Sequence, residues 1–158
     1  MKNIHRHKYK DNKICETRTL TFNPYPCSEI DLVIGLIQDN LTSDLLKQKK
    51  LMYKGDANKY YGHCYHSSQA LYYLMDCDTL IPMRGEDYRG EKHWWLQDGE
   101  KIYDCTANQY IFVNQSPPYD VGKKSNWYGW KQRPQQISLE LMKRVLGSRL
   151  KSDSVTVA

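Results

Sequence analysis

The sequence predicts an α+β domain in which a helix that carries a cysteine packs on a small antiparallel sheet. Two observations lead to this class. Between residues 28 and 75 apolar residues recur at the spacing of amphipathic helices, and between residues 93 and 104 two strand-like segments flank Asp98-Gly99. A chain of 158 residues suits one domain with one core, and its hydrophobic share of 40% is sufficient to form that core.

The two ends of the chain are predicted to lie outside the packed domain. Residues 1–13 are rich in basic side chains with no apolar run behind them, and are expected to form a flexible arm rather than a secretion signal. Residues 14–150 form the single predicted domain, and residues 151–158 a disordered tail. A short strand is expected over residues 17–22, before a turn that contains two prolines.

Two helices are predicted before residue 60. Ser28 and Asp31 have the spacing of a capping box, and the apolar residues between Ile30 and Leu41 share one helical face. A second helix is expected from residue 42 or 43 to residue 53, with lysines on its solvent face. Both helices are interpreted as packing elements of the core.

A third helix is predicted to begin at Gly62-His63-Cys64, because Cys64 and a set of later residues fall on one helical face. That set is Ser67, Ser68, Leu71, Leu74 and Met75. Cys64 therefore lies in the first turn, where unpaired N–H groups and the positive end of the helix dipole favour a thiolate over a thiol. The same amides are able to stabilise an oxyanion.

The sheet is predicted from a hairpin. Asp98-Gly99 between strand-forming residues is a strong signal for a two-residue turn. With these residues as the loop, His93 faces Asp104 on the neighbouring strand, with Cα atoms roughly 4.5 to 5.5 Å apart and both side chains on one face. The inference depends on register, because a shift by one residue would separate the pair.

The remaining sequence is mostly irregular until a last helix. Residues 79–84 are expected to form an edge or irregular strand, because Pro82 lacks an amide proton. Thr106 and Gln109 have the spacing of a helix cap, which predicts a short helical turn after Asp104. Residues 113–134 have few regular signals, as lids and binding loops do, and residues 138–150 are predicted to form the final helix.

A thiol, an imidazole and a carboxylate are thereby predicted to meet at one point. Cys64 would act as a nucleophile, His93 would accept its proton, and Asp104 would hold the imidazole in one tautomer. This set of groups is typical of acyl transfer. Gln109 and Asn58 are candidates for a side chain that assists the oxyanion, although no geometric argument selects either.

These motifs resemble the core of transglutaminase-like enzymes within the wider papain-like superfamily. The likeness rests on Gly62-His63-Cys64, His93-Trp94-Trp95 and Asp104-Cys105-Thr106, which span roughly a third of the chain. It implies a papain-like fold and chemistry on amides, esters or thioesters, with Cys64, His93 and Asp104 as a catalytic triad. The chain is also similar to small bacteriophage and bacterial proteins that share Gly-His-Cys-Tyr, His-Trp-Trp-Leu and a later Tyr-x-x-Gly, here Tyr119 to Gly122.

Simpler interpretations stay open beside the catalytic one. Free cysteine is among the most buried residue types, so Cys64 can be a structural thiol, and His93 can pair with Asp104 for stability alone. A metal site would draw on His63, Cys64, His66, Cys77 and His93. Zinc is disfavoured because no Cys-x-x-Cys or His-x-x-x-His pair occurs, and neither a metal nor a cofactor is expected.

The bulk properties limit location and partners. The mean hydropathy of −0.77 and the lack of a long apolar run argue against a membrane span. Five cysteines at irregular spacings argue for reduced thiols rather than a disulfide framework, and a cytoplasmic location is expected. The formal charge of +5 permits anionic partners without requiring them.

The region of residues 119–131 supplies weak clues to the substrate, because it mixes aromatic rings with cations. Trp127 and Trp130 are candidates for substrate contact, as is Trp95, which shares the face of His93; the competing interpretation is that these rings anchor on the core. The sequence thus predicts a thiol hydrolase or deamidase of a protein or peptide amide, with transfer to an amine as a close variant. The alternative is a non-enzymatic protein that binds a nucleotide or nucleic acid through this region.

Overall fold

Helices cover one side of an antiparallel sheet in the computed structural model, which describes residues 23–46, 59–128 and 133–157. Within these residues the chain forms four α-helices and a four-stranded antiparallel sheet, so the predicted α+β class is confirmed. The basic arm, the strand predicted over residues 17–22, Asn58 and Trp130 lie outside the described residues.

The first helix forms where the apolar spacing predicts it, without the predicted cap. Strand β1 (Tyr25–Pro26) leads through a 3-10 turn (Cys27–Glu29) into helix α1 (Ile30–Asp39). The helix buries Ile30, Val33 and Ile37, as expected. The capping box of Ser28 was wrong, because Ser28 lies inside the 3-10 turn and no side chain caps α1.

The second predicted helix is a short turn in the part that the structure describes. A 3-10 turn spans Ser43–Leu45, and Leu46 already has extended backbone angles, so no α-helix passes through Leu46. The rest of the predicted segment, residues 47–53, lies outside the described residues. Leu45 is buried, so its predicted packing role holds although the helix does not.

Helix α2 (Cys64–Leu74) begins at the cysteine, as predicted, and strand β2 (Met75–Asp76) follows directly. β2 pairs in parallel with β1, which brings Cys27 and Cys77 together as a disulfide with a Cα–Cα distance of 5.1 Å. The prediction that all five cysteines are reduced was therefore wrong. The pairing of β1 with β2 joins segments 50 residues apart, which no spacing rule indicates.

The four-stranded sheet has the order β5-β4-β3-β6 and contains β3 (Ile81–Glu86), β4 (Lys92–Asp98), β5 (Lys101–Tyr103) and β6 (Lys123–Lys124). β3 is an interior strand, which corrects the edge position predicted from Pro82. Proline is tolerated there because β6 pairs only with Met83 and Arg84, so the missing amide of Pro82 breaks no bond in that ladder.

The hairpin between β4 and β5 turns one step later than predicted. Its loop is Gly99-Glu100, and Gln97 faces Ile102, so the register moves by two residues and Asp104 is no longer directly opposite His93. Gly99 adopts a φ of 60° at the first loop position, which is where a type II′ turn requires glycine. An even shift keeps each side chain on its predicted face, so His93 and Asp104 still share one side of the sheet.

Different parts of the chain pack on the two faces of the four-stranded sheet. On one face Trp94 and Leu96 join the core that α1, α2 and the carboxy-terminal helix complete. On the other face Trp95 lies beneath the segment around Gly122, where a Cβ atom would collide with the Trp95 ring. His93 and Trp95 alternate with Trp94 along β4, so the imidazole belongs to this second face.

The carboxy-terminal part contains two further helices. Helix α3 (Asn108–Ile111) is the short turn predicted after Asp104, and a 3-10 turn spans Tyr119–Val121. Helix α4 (Gln136–Val157) buries Leu139, Met142 and Val145 as expected. It continues past residue 150, which corrects the disordered tail predicted for residues 151–158. None of the helices in the described segments has the length and apolar character that crossing a membrane requires.

Candidate active site

The nucleophile candidate occupies the first position of a helix. Gly62 has a φ of 87°, a left-handed conformation that glycine adopts without strain, and the chain then enters α2 at Cys64. The first-turn amides have no intrahelical acceptor, and His63 makes no side-chain capping bond there. Cys64 is not disulfide-bonded and is 8% exposed, and its Sγ lies 3.8 Å from the carbonyl oxygen of Lys92.

The predicted partnership of His93 and Asp104 is present. His93 Nε2 donates to Asp104 Oδ2 over 2.6 Å, and the two side chains are only 1% and 3% exposed. Strand β5 ends at Tyr103, so Asp104 is no longer held in the ladder. In the shifted register His93 lies diagonally across from Asp104, and the Asp104 side chain turns towards it. The contact therefore forms by a different route from direct cross-strand pairing.

Asp104 is held by more donors than His93 alone. Its Oδ1 accepts from the backbone N–H of Thr106 at 3.0 Å and from the Thr106 hydroxyl at 3.3 Å. Its Oδ2 also accepts from the Tyr119 hydroxyl at 2.8 Å. Four donors at a buried carboxylate fix its orientation. Conversely, burial and the neighbouring Asp104 carboxylate raise the pKa of Tyr119, which stays a neutral donor.

His93 is held in its protonated form. Burial opposes the charge, but the hydrogen bonds with Asp104 and with Cys64 outweigh it and raise the pKa of His93 from 6.5 to about 10. Because Nε2 of the imidazole donates to Asp104, Nδ1 is the ring nitrogen available to interact with Cys64. A cationic imidazole beside a thiol at a helix start stabilises the thiolate, so the three predicted residues are brought together.

Two residues of α3 complete the surroundings of the imidazole. The Tyr110 ring meets His93 edge-on with centroids 4.9 Å apart, and Trp95 stacks near it at 5.8 Å. The Gln109 amide nitrogen donates to Thr106 Oγ1 at 3.2 Å and lies 3.5 Å from His93 Nδ1. Gln109, one of the two oxyanion candidates, thus lies beside the imidazole nitrogen that Asp104 does not bind.

A second polar cluster supports α3, and the sequence did not predict it. Asp87 accepts from the Tyr110 hydroxyl at 2.8 Å and from the Arg89 guanidinium at 2.8 Å. Although burial favours the neutral acid, these bonds lower the pKa of Asp87 below its ordinary value. Arg89 also lies over the Tyr61 ring, 4.7 Å from its centroid. This cluster fixes Tyr110, and through it the edge of the His93 ring.

The Tyr-x-x-Gly motif is the sequence signal for the role of Tyr119. Tyr119 supplies the hydroxyl that Asp104 accepts, while Gly122 lets the backbone pass over the Trp95 ring. The Tyr119 ring itself packs edge-on against Trp95 with centroids 5.1 Å apart. The motif thus connects one loop to both the carboxylate and the sheet face.

Two of the three tryptophans proposed for substrate contact, Trp95 and Trp127, are packed inside the domain. Trp95 is 0% exposed and Trp127 is 5% exposed, with Trp127 stacked on Trp94 at 5.5 Å between centroids. Neither ring is accessible to a base or a peptide, so both are corrected from substrate contacts to core anchors. Trp127 therefore offers no accessible stacking platform, whereas Tyr128, in the same region of residues 119–131, is 47% exposed.

The residues considered for a metal do not converge. Cys77 is bonded to Cys27 near the opposite end of α2, and His66 Nδ1 lies 3.0 Å from the Ser138 hydroxyl. Within residues 23–46, 59–128 and 133–157, no group of three or more His, Cys, Asp or Glu side chains is arranged to hold a metal ion.

Comparisons with protein-family models, with curated proteins and with solved structures found no match for this chain. Function is therefore inferred from the geometry of the site.

Proposed function

We propose that this protein is a thiol-dependent acyl-transfer enzyme with a papain-like or transglutaminase-like fold, and that it hydrolyses or deamidates a protein or peptide amide. The observation that carries the proposal is the buried 2.6 Å hydrogen bond between His93 and Asp104, beside a cysteine at a helix start that forms no disulfide. A base, its orienting acid and a polarised nucleophile are what acyl transfer by cysteine requires.

The reaction begins from the thiolate of Cys64 and the imidazolium of His93. The sulfur attacks the amide carbonyl, and the electron pair of the C=O bond moves onto oxygen, where the first-turn amides of α2 donate to it. Gln109 is the side chain best placed to add a further donor. The oxyanion then collapses, the C–N bond breaks, and His93 gives its proton to the departing amine.

The second half of the reaction releases the acyl group. His93, now neutral, removes a proton from water, the hydroxide attacks the thioester carbonyl, and the C–S bond breaks to restore the thiolate. Cys64 is only 8% exposed, which favours water over a bulky amine as the acceptor. For this reason hydrolysis or side-chain deamidation is proposed ahead of transfer.

Trapping the acyl-enzyme tests the proposal. The protein is mixed with a p-nitrophenyl acyl ester at pH 7, nitrophenolate release is followed, and the acylated cysteine is located by mass spectrometry. A burst of one equivalent, with the acyl group on Cys64, is expected for the wild type and should be absent in Cys64→Ala. Cys105, which also forms no disulfide but is 1% exposed, is the matched control thiol. Acylation of Cys105 at the same rate as Cys64 would refute the proposal.

A further inference from the structure

A basic groove lies along the end of the sheet, with a volume of about 470 Å³. It is bounded by parts of β3, β4 and β6 and by the turn before β6. Its lining residues are Arg84, Gly85, Glu86, Lys92, Val121 and the pair Lys123 and Lys124.

The groove carries a strong excess of positive charge. Four of its side chains are cationic, whereas Glu86 is its single carboxylate. Lys92, Lys123 and Lys124 are exposed, and no carboxylate of the described residues lies within 4.0 Å of their ammonium groups. Arg84 is held in place over the Trp94 ring, 5.6 Å from its centroid. The cations are thus gathered without partners of opposite sign among the described residues.

The groove adjoins the candidate nucleophile. Gly85, one of its lining residues, is the direct cross-strand partner of His93. Lys92, another, precedes His93 in β4, and its carbonyl oxygen lies 3.8 Å from Cys64 Sγ. The lining of the groove thus lies one residue from His93 along β4, and it is connected to Cys64 through the Lys92 carbonyl.

We propose that this groove binds an acidic stretch of the polypeptide substrate, with glutamate or aspartate carboxylates on the four cations and the target amide directed to Cys64. The inference rests on the proposed function for its catalytic step. A peptide is preferred to a nucleic acid because none of the lining residues is aromatic. The exposed Tyr128 ring, whose hydroxyl accepts from Arg84 over 3.4 Å, lies outside this lining.

Binding is tested with the Cys64→Ala protein, so that the result does not depend on turnover. Fluorescein-labelled peptides of equal length, one glutamate-rich and one neutral, each with a central glutamine, are titrated at low ionic strength and followed by anisotropy. The glutamate-rich peptide is expected to bind at least tenfold more tightly, with affinity that falls as salt is added. Labelled oligothymidylate serves as the nucleic-acid probe and is expected to bind more weakly than the acidic peptide.

A charge reversal at one edge of the sheet locates the contact. Lys123→Glu is expected to weaken binding of the acidic peptide about tenfold, because an attraction becomes a repulsion. Lys101→Glu, an exposed lysine on β5 at the opposite edge, is the matched control and should leave affinity unchanged. Lys123→Gln, which removes the charge without reversing it, should give an intermediate loss, and circular dichroism checks that each variant is folded.

Equal losses in Lys123→Glu and Lys101→Glu, no preference for the acidic peptide, or tighter binding of oligothymidylate would each overturn the assignment. Such a failure leaves the acyl-enzyme experiment intact, since that experiment uses a small neutral ester. Conversely, a protein that binds acidic peptides but forms no acyl-enzyme would support the binding groove and refute the proposed enzymatic activity.

Discussion

Asp104→Asn is the substitution whose consequences the structure specifies most fully. The change keeps the size of the side chain but replaces an acceptor oxygen by an amide NH₂ and removes the charge. If the remaining oxygen keeps its bonds to Thr106, the new NH₂ faces the donors of His93 and Tyr119, which lie 2.6 and 2.8 Å from the present carboxylate. Two buried bonds to a charged group are lost, so we expect a loss of roughly 3 kcal/mol in the free energy of unfolding.

The effect on reactivity follows from the pKa of His93. With a pKa of about 10 His93 is almost entirely protonated at pH 7, whereas at its ordinary value of 6.5 only about a quarter would be, and burial reduces that fraction further. The Cys64 thiolate loses its counter-ion to the same extent, and the imidazole loses its fixed orientation. We expect alkylation of Cys64 by iodoacetamide at pH 7 to slow by about tenfold or more.

The rate is measured from the carbamidomethylated Cys64 peptide by mass spectrometry, with urea unfolding for stability. Asp120→Asn, the same change at an exposed residue beside Tyr119, is the control and should alter neither quantity. A folded Asp104→Asn protein that alkylates at the wild-type rate would refute the reasoning that Asp104 acts through His93.

Three further predictions concern stability. Tyr119→Phe removes one hydrogen bond to a buried carboxylate and keeps the ring, so the free energy of unfolding in urea should fall by about 1 to 2 kcal/mol. An unchanged free energy would mean that this bond makes no net contribution to stability. Replacing Cys27 and Cys77 together by serine opens a loop with a sequence separation of 50, and should lower the free energy of unfolding, measured in urea, by roughly 4 kcal/mol. Detection of both thiols in reduced form in the wild type by mass spectrometry would contradict this. The raised pKa of His93 stabilises the fold fully below pH 6.5, and this contribution should be lost as pH rises towards about 10, by at most about 1.4 kcal/mol per pH unit. His93→Gln should lack that slope, and a matching slope in the variant would assign it to other groups.

The site was predictable where it depended on short-range rules. Cys64 starts a helix because Gly62 ends the preceding segment and the apolar spacing begins there. His93 and Asp104 were expected on one face of a hairpin, and they are, although the turn lies at Gly99-Glu100 rather than at Asp98-Gly99. Strand alternation has a period of two, so an error of two residues in register leaves the face unchanged.

The parts that escaped prediction join distant segments. The disulfide of Cys27 and Cys77 depends on a parallel pairing of two-residue strands, and an odd cysteine count gave no hint of it. Tyr119 reaches Asp104 because the loop before β6 folds over the Trp95 face of the sheet. No local pattern contains such contacts, since they are set by how the completed elements pack.

Burial was the other quantity that the pattern left undetermined. The sequence allowed Trp127 to be either a ligand contact or an anchor in the core. In the structure its ring stacks on Trp94, so it is a core anchor. Lys123 and Lys124 of the charged groove belong to the predicted aromatic and basic region of residues 119–131, but no pattern joined them to Arg84 and Lys92. The cations of the groove come from three strands, and only the sheet order β4-β3-β6 brings Lys92, Arg84 and Lys123 to one place.

The pH dependence of Cys64 alkylation, in the wild type and in His93→Ala, tests the central claim most directly. A thiolate held by the His93 cation should react at a rate that stays high well below pH 8.5, the ordinary pKa of a cysteine thiol. In His93→Ala the same profile should move to pH 8.5 or above, with little reaction at pH 7. Superimposable profiles for the two proteins would show that His93 does not activate Cys64, and would contradict the account.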